Sequence, residues 1–158
     1  MKVLYYDILD KLSIGNAKKC KSLNELLKNS DIVSLHVDGK KSNTNLISDK
    51  EFSIMKEKSI LVNYSRGNVV DIDSLIKNIK SKKLMGAALD VFPEEPSNNK
   101  EKLKSKVKGI EEIILSPHIG GSTKEAQKNI GSYVPDKIID FINSGNTSSS
   151  VNFPKLSL

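Results

Sequence analysis

Short apolar runs alternate with helix-spaced segments along this 158-residue chain, and that alternation leaves few folds open. Residues 3–6, 32–37, 60–63, 86–91 and 113–115 have the length and apolar character of buried strands. Residues 23–28, 49–55 and 72–80 have helical spacing, with Leu75, Ile76 and Ile79 on one face. Ser122-Thr123-Lys124-Glu125 matches a capping box and predicts a last helix toward Ile142, with Pro135 set to kink or interrupt it. Strand–helix alternation of this kind builds a parallel sheet covered on both faces. Ligands on such sheets bind at the carboxyl ends of the strands.

Composition narrows the function. Lysine and arginine total 25 against 19 aspartates and glutamates, a net charge of +6, yet the lysines are scattered, aromatics are 5% and tryptophan is absent. No nucleic-acid recognition motif accompanies that charge, so a solvated lysine-rich surface is expected and nucleic acid is not an expected partner. Cys20 is the only cysteine, which fits a reducing compartment. No run approaches the length of a membrane span and the first residues do not resemble a signal peptide, so a cytoplasmic protein without a membrane partner is expected. Residues 100–108 are lysine-rich and are expected to form a solvated loop or short helix.

Only one of the basic side chains is an arginine: Arg66, in Asn63-Tyr64-Ser65-Arg66-Gly67 at the end of the third expected strand. It is either a chance exception to a lysine bias or a carboxylate clamp, because the guanidinium fork donates two parallel hydrogen bonds where an ammonium cannot. The other strand ends also carry polar groups. Asp7 closes the first strand, as a turn residue or as an acceptor for ribose hydroxyls. Asp90-Val91-Phe92-Pro93-Glu94-Glu95-Pro96 is an acidic turn, or a proline-stiffened loop that aims a carboxylate. His118, in Ser116-Pro117-His118-Ile119-Gly120-Gly121, is one of two histidines and sits beside a glycine pair that lets backbone approach a ligand. It is a structural histidine or a general acid/base. Taken together, His118 would accept a hydroxyl proton, Glu95 would favour and orient its imidazolium, and Arg66 would hold a carboxylate. No metal is called for.

Three stretches, Asn63 to Gly67, Gly86 to Pro96 and Ser116 to Thr123, carry a resemblance to the D-isomer-specific 2-hydroxyacid dehydrogenases. Ser122-Thr123-Lys124-Glu125-Ala126-Gln127-Lys128-Asn129-Ile130-Gly131 and Val151-Asn152-Phe153-Pro154 narrow it to members acting on 3-phosphoglycerate. The resemblance implies NAD as cofactor and oxidation of 3-phosphoglycerate to 3-phosphohydroxypyruvate, the entry to serine biosynthesis. D-lactate or glyoxylate-type substrates stay open. It implies Arg66, Glu95 and His118 as catalytic residues. It places Asp7, His36, Tyr64, Ser65, Arg66, Asp90, His118, Ile119, Gly120 and Gly121 along the cofactor.

Against the family pattern, no G-x-G-x-x-G run precedes Asp7. The expected fold is therefore α/β, an incomplete Rossmann-type doubly wound parallel sheet lacking its first strand and Gly-rich loop. Residues 1–143 are expected to form part of an NAD-binding domain. Residues 144–158 are expected to be a tail that would return toward an absent substrate domain. A fragment of this kind would leave strand edges at 3–6 and 32–37 unpaired and would be marginally stable by itself. It would act with a complementary N-terminal fragment or in a homo-oligomer. The alternative is a non-catalytic relic or a dimerisation module of an intact homologue.

Overall fold

Residues 1–96 and 101–148 are described here from a computed structural model. They divide into two compact units, one within residues 1–117 and one from residue 118 on, each taken by itself below.

The first unit holds two parallel sheets. The smaller pairs β1 (Leu4–Tyr5) with β2 (Lys18–Lys19) in the register Leu4 to Lys18 and Tyr5 to Lys19. The larger has four strands in the order β3 (Ile32–Leu35), β4 (Ser59–Asn63), β5 (Leu84–Leu89), β6 (Ile113–Leu115). Its register aligns Val33, Leu61, Ala87 and Ile113 in one row, all buried. The next row toward the carboxyl ends is Leu35, Asn63, Leu89 and Leu115. β3 is an edge strand of this sheet, in line with the open edge expected there.

Three helices belong to the same unit. In α1 (Leu23–Asn29), Ser22 caps the N-terminus by accepting from the Glu25 amide. In α2 (Asp49–Ile54), the Glu51 carboxylate accepts from both the Ser48 amide (3.2 Å) and its hydroxyl (2.8 Å). In α3 (Ile72–Lys80), Asp71 caps the start and Leu75 and Ile79 are buried, as the helical spacing predicts. Leu27, Phe52 and Leu75, one from each helix, are fully buried against Leu61 and Leu89 of the large sheet. Within the stretch 100–108, expected to be a solvated loop or short helix, residues 101–105 are irregular and a turn begins at 106; Val107 is completely buried and Leu103 packs on the core. Two apolar side chains four residues apart are enough to seat a loop that is otherwise lysine-rich.

In the second unit, α4 (Lys124–Ser144) is capped by Thr123, whose hydroxyl accepts from the Ala126 amide at 3.1 Å. The cap is thus one residue later than the expected Ser122–Glu125 box, and position N3 is Ala126 rather than a carboxylate. The helix runs on through Pro135 without interruption and ends at Gly145 (φ 70°), which takes the left-handed C-terminal turn. The Val151-Asn152-Phe153-Pro154 segment lies outside the described residues.

Candidate functional site at the carboxyl ends of the strands

The end of β4 is organised by one amide. Asn63 is 1% exposed, and its Oδ1 accepts from both the amide (3.1 Å) and the hydroxyl (2.8 Å) of Ser65. Its Nδ2 donates to the Arg66 carbonyl at 3.0 Å. Ser65 is buried, whereas the Tyr64 and Arg66 side chains on either side of it are exposed. The Arg66 guanidinium donates through Nη1 to the Ser65 carbonyl at 2.6 Å.

Gly67 follows because nothing else fits. A Cβ there would lie 2.0 Å from the carbonyl carbon and oxygen of Phe92 and 2.5 Å from the Pro93 nitrogen. The Arg66 turn is therefore flush against the backbone leaving β5, the segment that carries Glu95. Glu95 folds back so that its Oε1 accepts from the Phe92 amide at 3.1 Å. Asp90, at the β5 exit, donates its amide to the Asn63 carbonyl (3.1 Å) and accepts the Ser116 hydroxyl at 2.6 Å. Chain ends of β4, β5 and β6 are thus tied together by Asn63, Asp90 and Ser116.

The remaining expected residues lie apart from that cluster. Asp7, at the end of β1, accepts from the Leu9 amide at 2.7 Å and lines a shallow depression with Tyr6, Lys19, Cys20 and Lys21. Burial pushes the Cys20 thiol above its ordinary range. His36 lies one residue beyond β3, exposed, with its Nε2 2.9 Å from the Ser34 hydroxyl. Just after it, the Lys40 ammonium bound to Asp38 (2.7 Å) holds that carboxyl below the usual carboxylate range.

His118 to Gly121 open the second unit. His118 has φ 52°, a left-handed backbone that few residues other than glycine adopt. Ile119 is exposed and there is open space around Gly120 and Gly121. The turn is fastened onto α4: the Ser122 amide donates to the Ile119 carbonyl (2.9 Å) and Gln127 Nε2 to the Gly121 carbonyl (2.5 Å). Asn63, Gly67 and Ser116 were not among the candidates from sequence, although Asn63 and Ser116 head two of the motifs quoted above.

The donor set suits a dinucleotide. Asp7 presents a carboxylate just beyond β1, the kind of acceptor that ribose hydroxyls take in dinucleotide folds, and Arg66 presents a guanidinium just beyond β4. Among the described residues no group of His, Cys, Asp and Glu side chains is placed to hold a metal ion. Likewise, no described helix is long and apolar enough to cross a membrane.

Parallel strands with ligand-type side chains at their carboxyl ends define a Rossmann-like α/β nucleotide-binding fold. The chain belongs to the D-isomer specific 2-hydroxyacid dehydrogenases: residues 1–120 match the NAD binding domain of that family, and NAD is its cofactor. Over its whole length it is 49% identical to the D-3-phosphoglycerate dehydrogenase of Escherichia coli (strain K12), covering 38% of that protein. It is also 49% identical to the D-3-phosphoglycerate dehydrogenase of Dictyostelium discoideum, covering all of this chain and 39% of that one. The chain spans about two fifths of the length of these curated relatives. Among solved structures, the apo D-mandelate dehydrogenase of Rhodotorula graminis matches 89% of this chain and 41% of that one, with TM-score 0.75 and 33% identity. D-Lactate dehydrogenase from Aquifex aeolicus, complexed with NAD and lactic acid, matches 90% of this chain and 46% of that one, with TM-score 0.72 and 31% identity.

Proposed function

We propose that this chain is the NAD-binding part of a dehydrogenase that oxidises the hydroxyl of a D-2-hydroxy acid, with 3-phosphoglycerate as substrate and 3-phosphohydroxypyruvate as product. This places it in serine biosynthesis. The observation that carries the reading is the Asn63–Gly67 turn, which presents the sole arginine at a strand terminus, flush against the segment bearing Glu95. Whole-length identity to proteins named D-3-phosphoglycerate dehydrogenase supports the choice of substrate.

Bound NAD would supply the hydride acceptor. Arg66 holds the substrate carboxylate with a bidentate, charge-assisted pair, a contact of about 1.5–3 kcal/mol. That grip fixes the C2 hydroxyl in orientation and draws electron density from the carbon being oxidised. His118 takes the hydroxyl proton as general base, with Glu95 as the acidic member of the acid–base pair that the family resemblance implies. Asp7 accepts the adenosine ribose hydroxyls. Tyr64, Ser65, Asp90, Ile119, Gly120 and Gly121 line the cofactor, and His36 stands on its adenosine side. In this proposal residues 1–143 form part of the cofactor domain and 144–158 a tail toward a substrate domain.

The separate β1–β2 pair and the edge position of β3 favour one further element: a segment with a Gly-rich turn that pairs with these strands, in the same polypeptide or another. No G-x-G-x-x-G occurs within residues 1–158 to cradle the pyrophosphate.

The sole arginine makes the clamp directly testable. Phenylglyoxal adds to guanidinium groups, so the adduct mass on the 158-residue chain reports Arg66 alone. With NADH and a complementary Gly-rich segment present, 3-phosphohydroxypyruvate is expected to slow that addition at least tenfold, and pyruvate less. An addition rate indifferent to saturating ligand sinks the clamp.

A further inference from the structure

Across the carboxyl-terminal row of the four-stranded sheet, Leu35, Leu89 and Leu115 are apolar and Asn63 alone is polar. It is also among the largest fully buried side chains. A buried amide must be matched at both ends, and a leucine in the same row would avoid that demand. None of the Asn63 side-chain bonds goes to a neighbouring strand. All three go forward along the chain, two to Ser65 and one to the Arg66 carbonyl. Its backbone carbonyl meanwhile accepts from the Asp90 amide at 3.1 Å. One residue thus sets the Arg66 peptide with its side chain and the β5 exit with its main chain.

We infer that Asn63 is the positioning residue for the Arg66 clamp: its amide fixes the turn so that the guanidinium meets a carboxylate in one orientation. This rests on the clamp reading above. The chemistry is specific to an amide on a single methylene. The acceptor Oδ1 takes two donors from Ser65 while the donor Nδ2 serves a carbonyl. An aspartate keeps the acceptor, loses the donor and sets a carboxylate oxygen against the Arg66 carbonyl. A leucine fills the row and loses both functions.

The test uses the full chain as wild type, Asn63→Asp and Asn63→Leu. Amide exchange is followed in β4 and β5 and in residues 64–67, and protection of Arg66 from phenylglyoxal is titrated with 3-phosphohydroxypyruvate and NADH in the presence of the complementary Gly-rich segment. The expected result for Asn63→Asp is strand exchange like wild type, faster exchange at 64–67, and about a tenfold rise in the half-protecting concentration. Lowering the pH until the new carboxyl gains a proton restores a donor, so protection of Asn63→Asp recovers relative to wild type at the same pH. Asn63→Leu is expected to show a larger rise and no recovery. If the leucine chain does not fold, seen as fast exchange throughout the sheet, the aspartate chain decides. Wild-type protection retained unchanged in Asn63→Asp overturns the positioning role and leaves the clamp standing. Absence of protection in the wild type removes the clamp, and the positioning role with it.

Discussion

The two sheets of the first unit are both parallel, yet they are held by different means. In the four-stranded sheet, the row Val33, Leu61, Ala87 and Ile113 is buried and three helices supply Leu27, Phe52 and Leu75 to cover it. In the two-stranded sheet, Leu4 and Tyr5 are half-buried and face two exposed lysines, and Cys20, just beyond β2, is the one nearby residue in the buried set. Its fastenings are polar and lie at the surface: the Tyr5 hydroxyl donates to the Lys11 carbonyl (2.8 Å), and Lys19 pairs with Asp10. Parallel pairing stands on burial of both faces. The candidate carboxylate clamp therefore rides on the stable sheet, and Asp7, proposed for the ribose, rides on the weaker one.

The largest effect that sharpens this contrast is Phe52→Ala. Phe52 is fully buried, and its truncation should remove about 3–5 kcal/mol, a large share of the roughly 5–15 kcal/mol typical of a domain. Urea unfolding followed by amide exchange in β4 and β5 measures it. The comparable truncation in the smaller sheet, Leu4→Ala, should remove about 1 kcal/mol or less and leave exchange in β4 and β5 unchanged. Equal losses from the two variants would break the distinction between the sheets. The smallest effect is electrostatic. Asp49 on α2 accepts from Lys77 (2.6 Å) and Asn78 (3.0 Å) on α3, and the Lys77 bond holds its carboxyl below the usual range. A depressed carboxyl adds stability above its unfolded pKa and loses it as pH falls through the folded value. Asp49→Asn should therefore lower stability slightly at neutral pH and change nothing once the wild-type carboxyl is protonated, which flattens the acid side of the stability curve.

The same contrast explains what could be read from the residues alone. Strands rich in valine, isoleucine and leucine announce themselves, and α3 coincides with its expected span of 72–80. β2 escaped because it consists of two exposed lysines and has no apolar pattern to find. β5 starts at Leu84 rather than Gly86 and ends at Leu89, since strand ends follow the hydrogen-bond ladder and apolar character runs on to Val91 and Phe92 beyond it. In the site, Arg66 stood out through its rarity. Gly67 did not, because its requirement comes from the Phe92 carbonyl, distant in sequence. Asn63 was quoted as part of a motif, but its three bonds become visible only when the turn closes back on it.

His118 at φ 52° restricts its own replacement in a way that is blind to chemistry. Left-handed backbone is tolerated best by glycine, asparagine, aspartate and histidine, and strongly resisted by β-branched side chains. Of the tolerant residue types, histidine is the one whose side chain exchanges a proton near neutrality. A turn that demands this backbone and the proposed reaction, in which this side chain moves a proton, leave a vocabulary of one letter, so a substitution survey at this position would confound geometry with the proposed catalysis unless asparagine serves as its reference.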